Sequence, residues 1–297
     1  MIDFIKFVIP TREYLGDFIN EPDYNFNQRY MNNTDELKLP IWGQKDGMKV
    51  KITDKVIEVS GSIHKYWNLK QYNTHANYND FNRTAIRDAL ELLAKEFRFN
   101  LKDSVISNLE FGVNIEPTSA PTDIIQKHIL TYKEREPKIN DDYKGSGKFT
   151  QFEFSNYCLK IYDKGKQFNL DYRLLRVEIK TKKSVHVTGI GNKWTLLKLT
   201  ESATLEYLGD MLIETFNKLL MCDDFELVDI VDNSDYQKLL TFINPRTWVQ
   251  WKSELTNKTK NRRKDVFRQL KEKYDLNTNQ SELAALIQSK VETLRSQ

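Results

Sequence analysis

The sequence predicts an α+β fold, in which an antiparallel sheet of about five strands carries helices on one face and a helical C-terminal region follows. The first 200 residues contain short runs in which apolar and polar residues alternate. Because side chains alternate between the two faces of a strand, each run predicts a strand with one apolar face. After about residue 200 the apolar residues recur every three or four positions, which is the period of a helix. We therefore divide the chain into an α+β domain, 1–200, and a helical region, 201–297.

The N-terminal third contains a predicted strand, a hairpin and a helix. Residues 1–10 alternate loosely and end at Pro10, which predicts the first strand. The runs 48–52 and 55–60 flank Thr53 and Asp54, and this short connection predicts a β-hairpin. Between the first strand and this hairpin, residues 11–45 are rich in Asn, Asp and Tyr and show little periodicity, so we expect irregular structure there. Apolar residues at helical spacing predict a helix over 82–97 that Asn79 and Asp80 cap.

Three further runs, 109–116, 156–165 and 174–180, predict strands whose polar faces carry reactive side chains. A sheet with one solvated side has polar faces anyway, so each run alone is weakly specific. The combination of a phenol, carboxylates and cations suits chemistry on a phosphodiester. These side chains are Glu110, Gly112 and Asn114 on the first run, Lys160, Tyr162 and Lys164 on the second, and Arg176, Glu178 and Lys180 on the third.

Tyr162 is the candidate nucleophile. A tyrosine hydroxyl can form a covalent intermediate, which divides a strand transfer into cleavage and rejoining. The ordinary phenol pKa is roughly 10, so Lys160, Lys164 or a metal ion must favour the phenolate. Tyr157 is the rival nucleophile. It shares a strand face with Leu159 and Ile161, which favours a position in the core.

Glu110, Asn114 and Glu178 are the candidate metal ligands. Their oxygens are of the kind that Mg²⁺ or Mn²⁺ prefers, and a metal ion there would polarise a scissile phosphate. Gly112, between the first two, would let a backbone or a substrate approach closely. The sequence contains no His-x-His pair. His64 is an alternative ligand or phosphate contact, although a lone histidine is more often a surface or core residue.

Composition limits the class of protein. Hydrophobic residues make up 39% of the chain and charged residues 29%, an ordinary balance for a chain that buries a core, and the net charge is +3. The two cysteines match no metal or redox spacing, so we expect a reducing compartment. Asp3 and Lys6 interrupt the apolar N-terminus, unlike a signal peptide, and no run is long enough to cross a membrane. We expect a cytoplasmic protein without a membrane partner.

A cationic cluster in the helical region points to nucleic acid. Trp248, Trp251 and Phe267 lie nearby, and the predicted helices 264–274 and 280–294 follow, joined by a short polar turn that is compatible with a helix-turn-helix. A basic patch on such a module is the electrostatic signature of DNA binding, although many such runs are only solvated helices. The cluster consists of Lys258, Lys260, Arg262, Arg263, Lys264 and Arg268.

Several of these motifs, in this order, resemble the phage and plasmid replication initiators of the filamentous-phage gene II type. That family belongs to a wider group of tyrosine nicking enzymes, which includes rolling-circle plasmid initiators and some relaxases. The resemblance covers most of residues 1–200, and its individual motifs are short. The strongest of them are Leu109-Glu-Phe-Gly-Val-Asn114, Lys160-Ile-Tyr-Asp-Lys-Gly165 and Leu175-Arg-Val-Glu178.

The resemblance implies a metal-dependent endonuclease and strand transferase that uses Mg²⁺ or Mn²⁺. Tyr162 would attack one strand at a replication origin and stay joined to the 5′ phosphate, while Lys164 and Arg176 contact phosphate. Glu110 stands where relatives often have aspartate, and Asn114 stands where a second acid is common. Partners would be origin DNA, as duplex and single strand, and host replication proteins. A mobilisation relaxase with the same chemistry and a non-catalytic DNA-binding regulator are the alternatives.

Overall fold

The computed structural model describes residues 1–19, 22–24, 26–27, 38–140, 148–182 and 193–296. Among these residues, nine strands form one antiparallel sheet in the order β2-β3-β4-β1-β5-β10-β9-β8-β7, and β6 and β11 form a separate pair. The strands are β1 (Ile2–Pro10), β2 (Ile41–Lys45), β3 (Met48–Ile52), β4 (Val56–Ser62), β5 (Val105–Ile115), β6 (Ile129–Tyr132), β7 (Lys138–Asn140), β8 (Phe149–Glu153), β9 (Tyr157–Asp163), β10 (Leu175–Thr181) and β11 (Leu219–Met221).

The mixed α and β architecture with a large antiparallel sheet and a helical C-terminal region is confirmed, but the predicted number of strands is wrong. About five strands were expected, and the described sheet has nine. β2 lies in the segment predicted to be irregular, and β7 is only three residues long. β7 contains too few residues for alternation to identify it, and β2, with the sequence Ile-Trp-Gly-Gln-Lys, does not alternate between apolar and polar residues. The predicted first strand and the β3–β4 hairpin are both present.

The described helices surround this sheet and follow it. They are α1 (Thr11–Ile19), α2 (Ile63–Tyr72), α3 (Arg83–Glu96), α4 (Pro121–Asp123), α5 (Lys164–Gln167), α6 (Ser202–Asn217), α7 (Asn233–Phe242), α8 (Pro245–Glu254), α9 (Asn257–Lys273) and α10 (Thr278–Ser296). Short 3₁₀ turns cover Pro22–Tyr24, Leu196–Thr200 and Leu227–Asp229, and a π turn covers Ile124–His128.

Helix α3 confirms the predicted helix but begins with a different cap. Asn82, not Asn79 or Asp80, occupies the N-cap, and its side chain accepts a hydrogen bond from the backbone N–H of Ala85. Helix α1 was not expected at all. Its Phe18 is fully buried and stacks on Tyr24. The spacing of Tyr14, Leu15, Phe18 and Ile19 is helical, a signal that was available in the sequence.

Two hydrophobic cores stabilise the described residues. The first combines the apolar faces of the central strands with apolar residues of α1, α3, α6 and α10. The second is built mainly from α7, α8 and α9 around the buried Trp248. Residues 201–297 thus contribute to both cores, and the predicted division at residue 200 stays a prediction.

The two helices that the sequence suggested as a helix-turn-helix contribute to different cores. Phe267 and Leu270 of α9 belong to the second core, whereas Leu283 and Ile287 of α10 belong to the first. Lys271 of α9 donates a 2.8 Å hydrogen bond to Oε1 of Gln280 on α10, so the two helices are in contact, and the helix-turn-helix stays a prediction.

Candidate functional site

The register of three central strands brings the predicted polar residues onto one face of the sheet. On β10, Arg176 pairs with Asn114 of β5 on one side and with Tyr162 of β9 on the other. Two residues along, Glu178 lies between Gly112 and Lys160, and Lys180 then pairs with Glu110. Directly paired residues share a face, so the sequence prediction of a common polar surface is confirmed.

Tyr162 lies at the accessible part of this surface. Its hydroxyl donates a hydrogen bond to Oε2 of Glu178 over 3.3 Å, and its side chain is partly exposed. The amino group of Lys164 lies 5.4 Å from the centre of the phenol ring. The carboxylate of Glu178 can orient the phenol, and the amine of Lys164 lies beside its ring.

Glu178 is the centre of a buried ion-pair network. Its Oε2 accepts a hydrogen bond from Nε of Arg176 at 2.7 Å, and its Oε1 accepts one from Nζ of Lys160 at 3.2 Å. Burial favours the neutral acid, but the charges of Arg176 and Lys160 outweigh it and hold the pKa of Glu178 below its usual value. Glu178 is therefore an anion at neutral pH.

Asp3 joins this network, although sequence reasoning did not select it. A register shift between Ile2 and Phe4 breaks the regular β1–β5 pairing, and Asp3 lies at that irregularity. Its carboxylate lies 3.5 Å from Arg176 and accepts hydrogen bonds from Ser62 and Asn77. Burial opposes its charge, but Arg176 and Lys164 hold the pKa of Asp3 well below its ordinary value. The local sequence contains no pattern that predicts this irregularity in the pairing of β1 and β5.

Lys164 is buried, contrary to the exposed phosphate contact that the sequence suggested. It is the first residue of α5, just after β9, and its amino group donates a 2.7 Å hydrogen bond to Oδ1 of Asn77. Burial, reinforced by the nearby charge of Arg176, lowers the pKa of Lys164 to about 7. Lys164 can therefore gain or lose a proton near neutral pH, as a general acid or base must.

The three predicted metal ligands come together, but cations already occupy their oxygens. Glu110 forms ion pairs with Lys180 and Lys160, and Oδ1 of Asn114 accepts a 3.0 Å hydrogen bond from Arg176. Within the described ranges, no group of three or more His, Cys, Asp or Glu side chains is arranged to hold a metal ion. A dication at these oxygens would face several positive charges at close range, so the donor set as arranged does not fit Mg²⁺ or Mn²⁺.

The two other residues considered from the sequence are buried. Nε2 of His64 lies 2.8 Å from Oδ1 of Asn79, and its ring stacks on Phe81. Burial lowers the pKa of His64 to about 3, so it is neutral and has a packing role. Tyr157 is buried in the first core as expected, and its hydroxyl lies 3.1 Å from that of Tyr132.

The cationic cluster lies on α9 and is only partly available to a ligand. Lys258 and Arg262, near the start of the helix, are exposed. Arg263 instead stacks on Trp251 at 3.7 Å, and Lys264 forms an ion pair with Glu134. Arg268 pairs with Asp265 over 3.1 Å. Lys260, also in the first turns, is half-buried. The candidate DNA contact is therefore the N-terminal part of α9.

Comparison with known proteins gives no sequence match, since neither a family model nor a curated protein matches the chain. Among solved structures, the chain is similar to the "Structure of Rolling Circle Replication Initiator Protein from Geobacillus stearothermophilus". The two chains are 13% identical, the alignment covers 90% of this chain and 96% of that one, and the TM-score is 0.39. The gene II type of the predicted resemblance stays a prediction. None of the described helices is long and apolar enough to cross a membrane.

Proposed function

We propose that the protein nicks and rejoins single-stranded DNA through Tyr162 and so initiates rolling-circle replication of a phage or plasmid. The observation that carries the proposal is the position of the Tyr162 hydroxyl. It is partly exposed, it donates to the buried carboxylate of Glu178, and its ring lies beside the amine of Lys164. A solvated sheet face would not require a nucleophile, an anion and a near-neutral amine at one point.

In the proposed reaction, the Tyr162 oxygen attacks the phosphorus of one phosphodiester. The bond from phosphorus to the 3′ oxygen breaks, and the downstream strand stays joined to the protein through its 5′ phosphate. Glu178 orients the phenol, and neutral Lys164 takes the proton and can return it to the leaving 3′ oxygen. Rejoining is the same sequence in reverse.

Positive charge near the phosphate comes from this chain's own residues. Lys160 and Lys180 lie on the same face of the sheet as Tyr162 and keep part of their side chains exposed. Lys160, two residues from Tyr162 on β9, can contact a phosphate that approaches the phenol, whereas Lys180 lies farther along the strands, opposite Cys158. Arg176 holds Glu178 beneath the phenol. Metal dependence would require Lys160 and Lys180 to release Glu110 and Glu178, so assays with Mn²⁺ and with EDTA should be compared directly.

The proposal is tested by covalent capture of DNA. The full chain is incubated with a pool of single-stranded oligonucleotides of random sequence, labelled at either end, and run on a denaturing gel. Label at the 3′ end should migrate with the protein, and label at the 5′ end should appear in a shortened free strand. Tyr162→Phe should abolish both products, whereas Tyr157→Phe should retain them.

Failure of capture would have a specific meaning. If the parent protein forms no adduct with Mn²⁺ or with EDTA but binds a DNA sequence selectively, it is a DNA-binding regulator and the enzymatic proposal is wrong. If Tyr157→Phe rather than Tyr162→Phe abolishes the adduct, the nucleophile is misassigned.

A further inference from the structure

The polar face that carries Tyr162 continues across the sheet to a second feature, the side chain of Trp42 on β2. Register pairs connect the two without a change of face: Lys180 pairs with Glu110, Glu110 with Phe4, and Phe4 with Ser62. Ser60 lies two residues from Ser62 on β4 and pairs with Lys49 of β3. Lys51 lies two residues from Lys49 on β3 and pairs with Trp42 of β2. Tyr162 and Trp42 therefore lie on one side of the same sheet.

Aromatic rings alternate with cations along this face. Nζ of Lys51 lies 5.9 Å from the ring of Trp42, and Nζ of Lys180 lies 5.5 Å from the ring of Phe4. Lys164 lies 5.4 Å from the ring of Tyr162. Ring–cation pairs thus recur on β2–β3 and on β1–β10, and at the end of β9 the ring of Tyr162 lies beside the buried Lys164. We call this face, from Tyr162 to Trp42, the aromatic track.

The Trp42 end of the aromatic track is an open groove. Its volume is about 570 Å³, and Trp42, Gln44, Lys49, Lys51, Glu58 and Ser60 are among its lining residues. Trp42 is 52% exposed, an unusual state for an indole on an ordered strand. Lys49 and Gln44 are exposed beside it. A large exposed ring in a concave polar groove is a platform on which a planar group can stack.

Acids also lie on the aromatic track, but the cations are the more exposed partners. Lys160 is 21% exposed against 2% for Glu178, and Lys180 is 35% exposed against 11% for Glu110. Lys6 pairs with Glu58 over 2.8 Å, and here too the lysine is the more exposed. A ligand that approaches the face meets amino groups first, which favours an anionic chain.

We infer that the aromatic track binds single-stranded nucleic acid and that Trp42 stacks on one of its bases. Proteins that bind single strands combine a cationic groove with aromatic platforms, whereas a duplex keeps its base faces covered. Six strand intervals of about 4.8 Å, roughly 29 Å in all, separate Tyr162 from Trp42 across the sheet. The register path also moves about eight residues along the strands, at about 3.3 Å each, so the two residues lie roughly 39 Å apart. At about 3.4 Å per stacked nucleotide, this distance accommodates roughly eleven or twelve nucleotides. The inference extends the proposed function, on which it rests for the strand held at Tyr162.

The test is equilibrium binding to fluorescein-labelled oligo(dT) of twelve nucleotides, measured by anisotropy with full-length Tyr162→Phe so that no strand is cleaved. Added to this background, Trp42→Ala should weaken binding between roughly 5-fold and 150-fold, the loss of one stacked base. Trp42→Phe should recover most of the affinity, because it keeps an aromatic face. Tyr207→Ala, which removes an exposed ring from α6, is the matched control and should bind like the background protein. Affinity for a twelve-base-pair duplex should not depend on Trp42.

Each outcome separates this inference from the proposed function. Unchanged oligo(dT) affinity in Trp42→Ala, or an equal loss for duplex and single strand, overturns the aromatic track even if Tyr162 forms adducts. Conversely, suppose that the parent protein forms no adduct while binding to oligo(dT) still depends on Trp42. That result would refute the nicking reaction and support the aromatic track as a binding surface for single strands. Circular dichroism of Trp42→Ala excludes unfolding as the cause of a loss.

Discussion

Replacing Arg176 by methionine tests the buried ion network most severely. Arg176 is 3% exposed, its Nε donates to Glu178 at 2.7 Å, and its guanidinium lies 3.5 Å from Asp3. It also donates to Asn114 at 3.0 Å. Methionine keeps much of the volume but leaves two buried carboxylates without their main partner. Breaking a buried pair in this way costs about 3–5 kcal/mol, so we expect the free energy of unfolding at pH 7 to fall by that amount.

The pH dependence of this loss follows from the carboxyl pKa values. In the parent protein, the pKa values of Asp3 and Glu178 are lower in the folded chain than in the unfolded chain. Their stabilisation is therefore complete above the unfolded values, roughly pH 4 to 4.5, and is lost as the pH falls below them toward the folded values. Without Arg176, burial instead raises both pKa values. The difference between parent and Arg176→Met should then be largest near pH 7 and should shrink toward pH 4.

Urea denaturation followed by circular dichroism measures the effect, with the m-value checked for each variant. Adding Asp3→Asn and Glu178→Gln to Arg176→Met removes the orphaned charges and should recover part of the lost stability. A loss below about 1 kcal/mol, the usual range for an exposed pair, would refute the buried network. A loss that does not change between pH 7 and pH 4 would contradict its electrostatic origin.

Three further predictions concern the reaction and the DNA contact. Since the pKa of Lys164 is about 7, the single-turnover rate of adduct formation should rise as the pH passes through 7. Lys164→Arg, whose side chain stays charged, should react slowly and lack this rise. A variant with the pH profile of the parent would exclude Lys164 as the base. Tyr162→Phe should lose adduct formation yet change the free energy of unfolding by only about 1 kcal/mol, because its hydrogen bond to Glu178 is long and its side chain is partly exposed. A larger loss of stability in urea denaturation would indicate a structural role instead. Replacing Lys258 and Arg262 together by glutamine should weaken duplex binding and reduce the slope of log affinity against log salt concentration by about 2. Lys264→Gln should change the slope little, because Lys264 already pairs with Glu134. Equal slopes for the parent, the double variant and Lys264→Gln would place the duplex elsewhere.

Alternation in the sequence was sufficient to predict the polar face of the sheet. It placed Tyr162, Arg176 and Glu178 on one surface, because the faces of a strand depend only on residue parity. It could not predict which oxygen meets which cation, since that depends on strand register and side-chain packing. The predicted metal ligands Glu110 and Glu178 therefore lie on the polar face, but their oxygens pair with lysines and an arginine.

The features that sequence reasoning missed have separate physical causes. Asp3 enters the site through an irregularity in strand pairing that no local pattern encodes. Residue parity placed Lys164 on the polar face of β9 and so predicted an exposed side chain. Its position at the start of α5 and its contact with Asn77 bury it instead. Charge density near aromatic residues and a possible helix-turn-helix selected six cations on α9. Packing against Trp251 and pairing with Glu134 make two of them less available to a ligand. Helix α1 was missed although its spacing was visible in the sequence.

Mass spectrometry of a trypsin-digested protein–DNA adduct tests the central assignment most directly. Trypsin cuts after Lys148, Lys160 and Lys164, so Tyr157 and Tyr162 fall in different peptides, 149–160 and 161–164. We expect the nucleotide mass on peptide 161–164, with fragment ions that place the phosphate on Tyr162. The same mass on peptide 149–160, or on any peptide outside the sheet, would contradict the account.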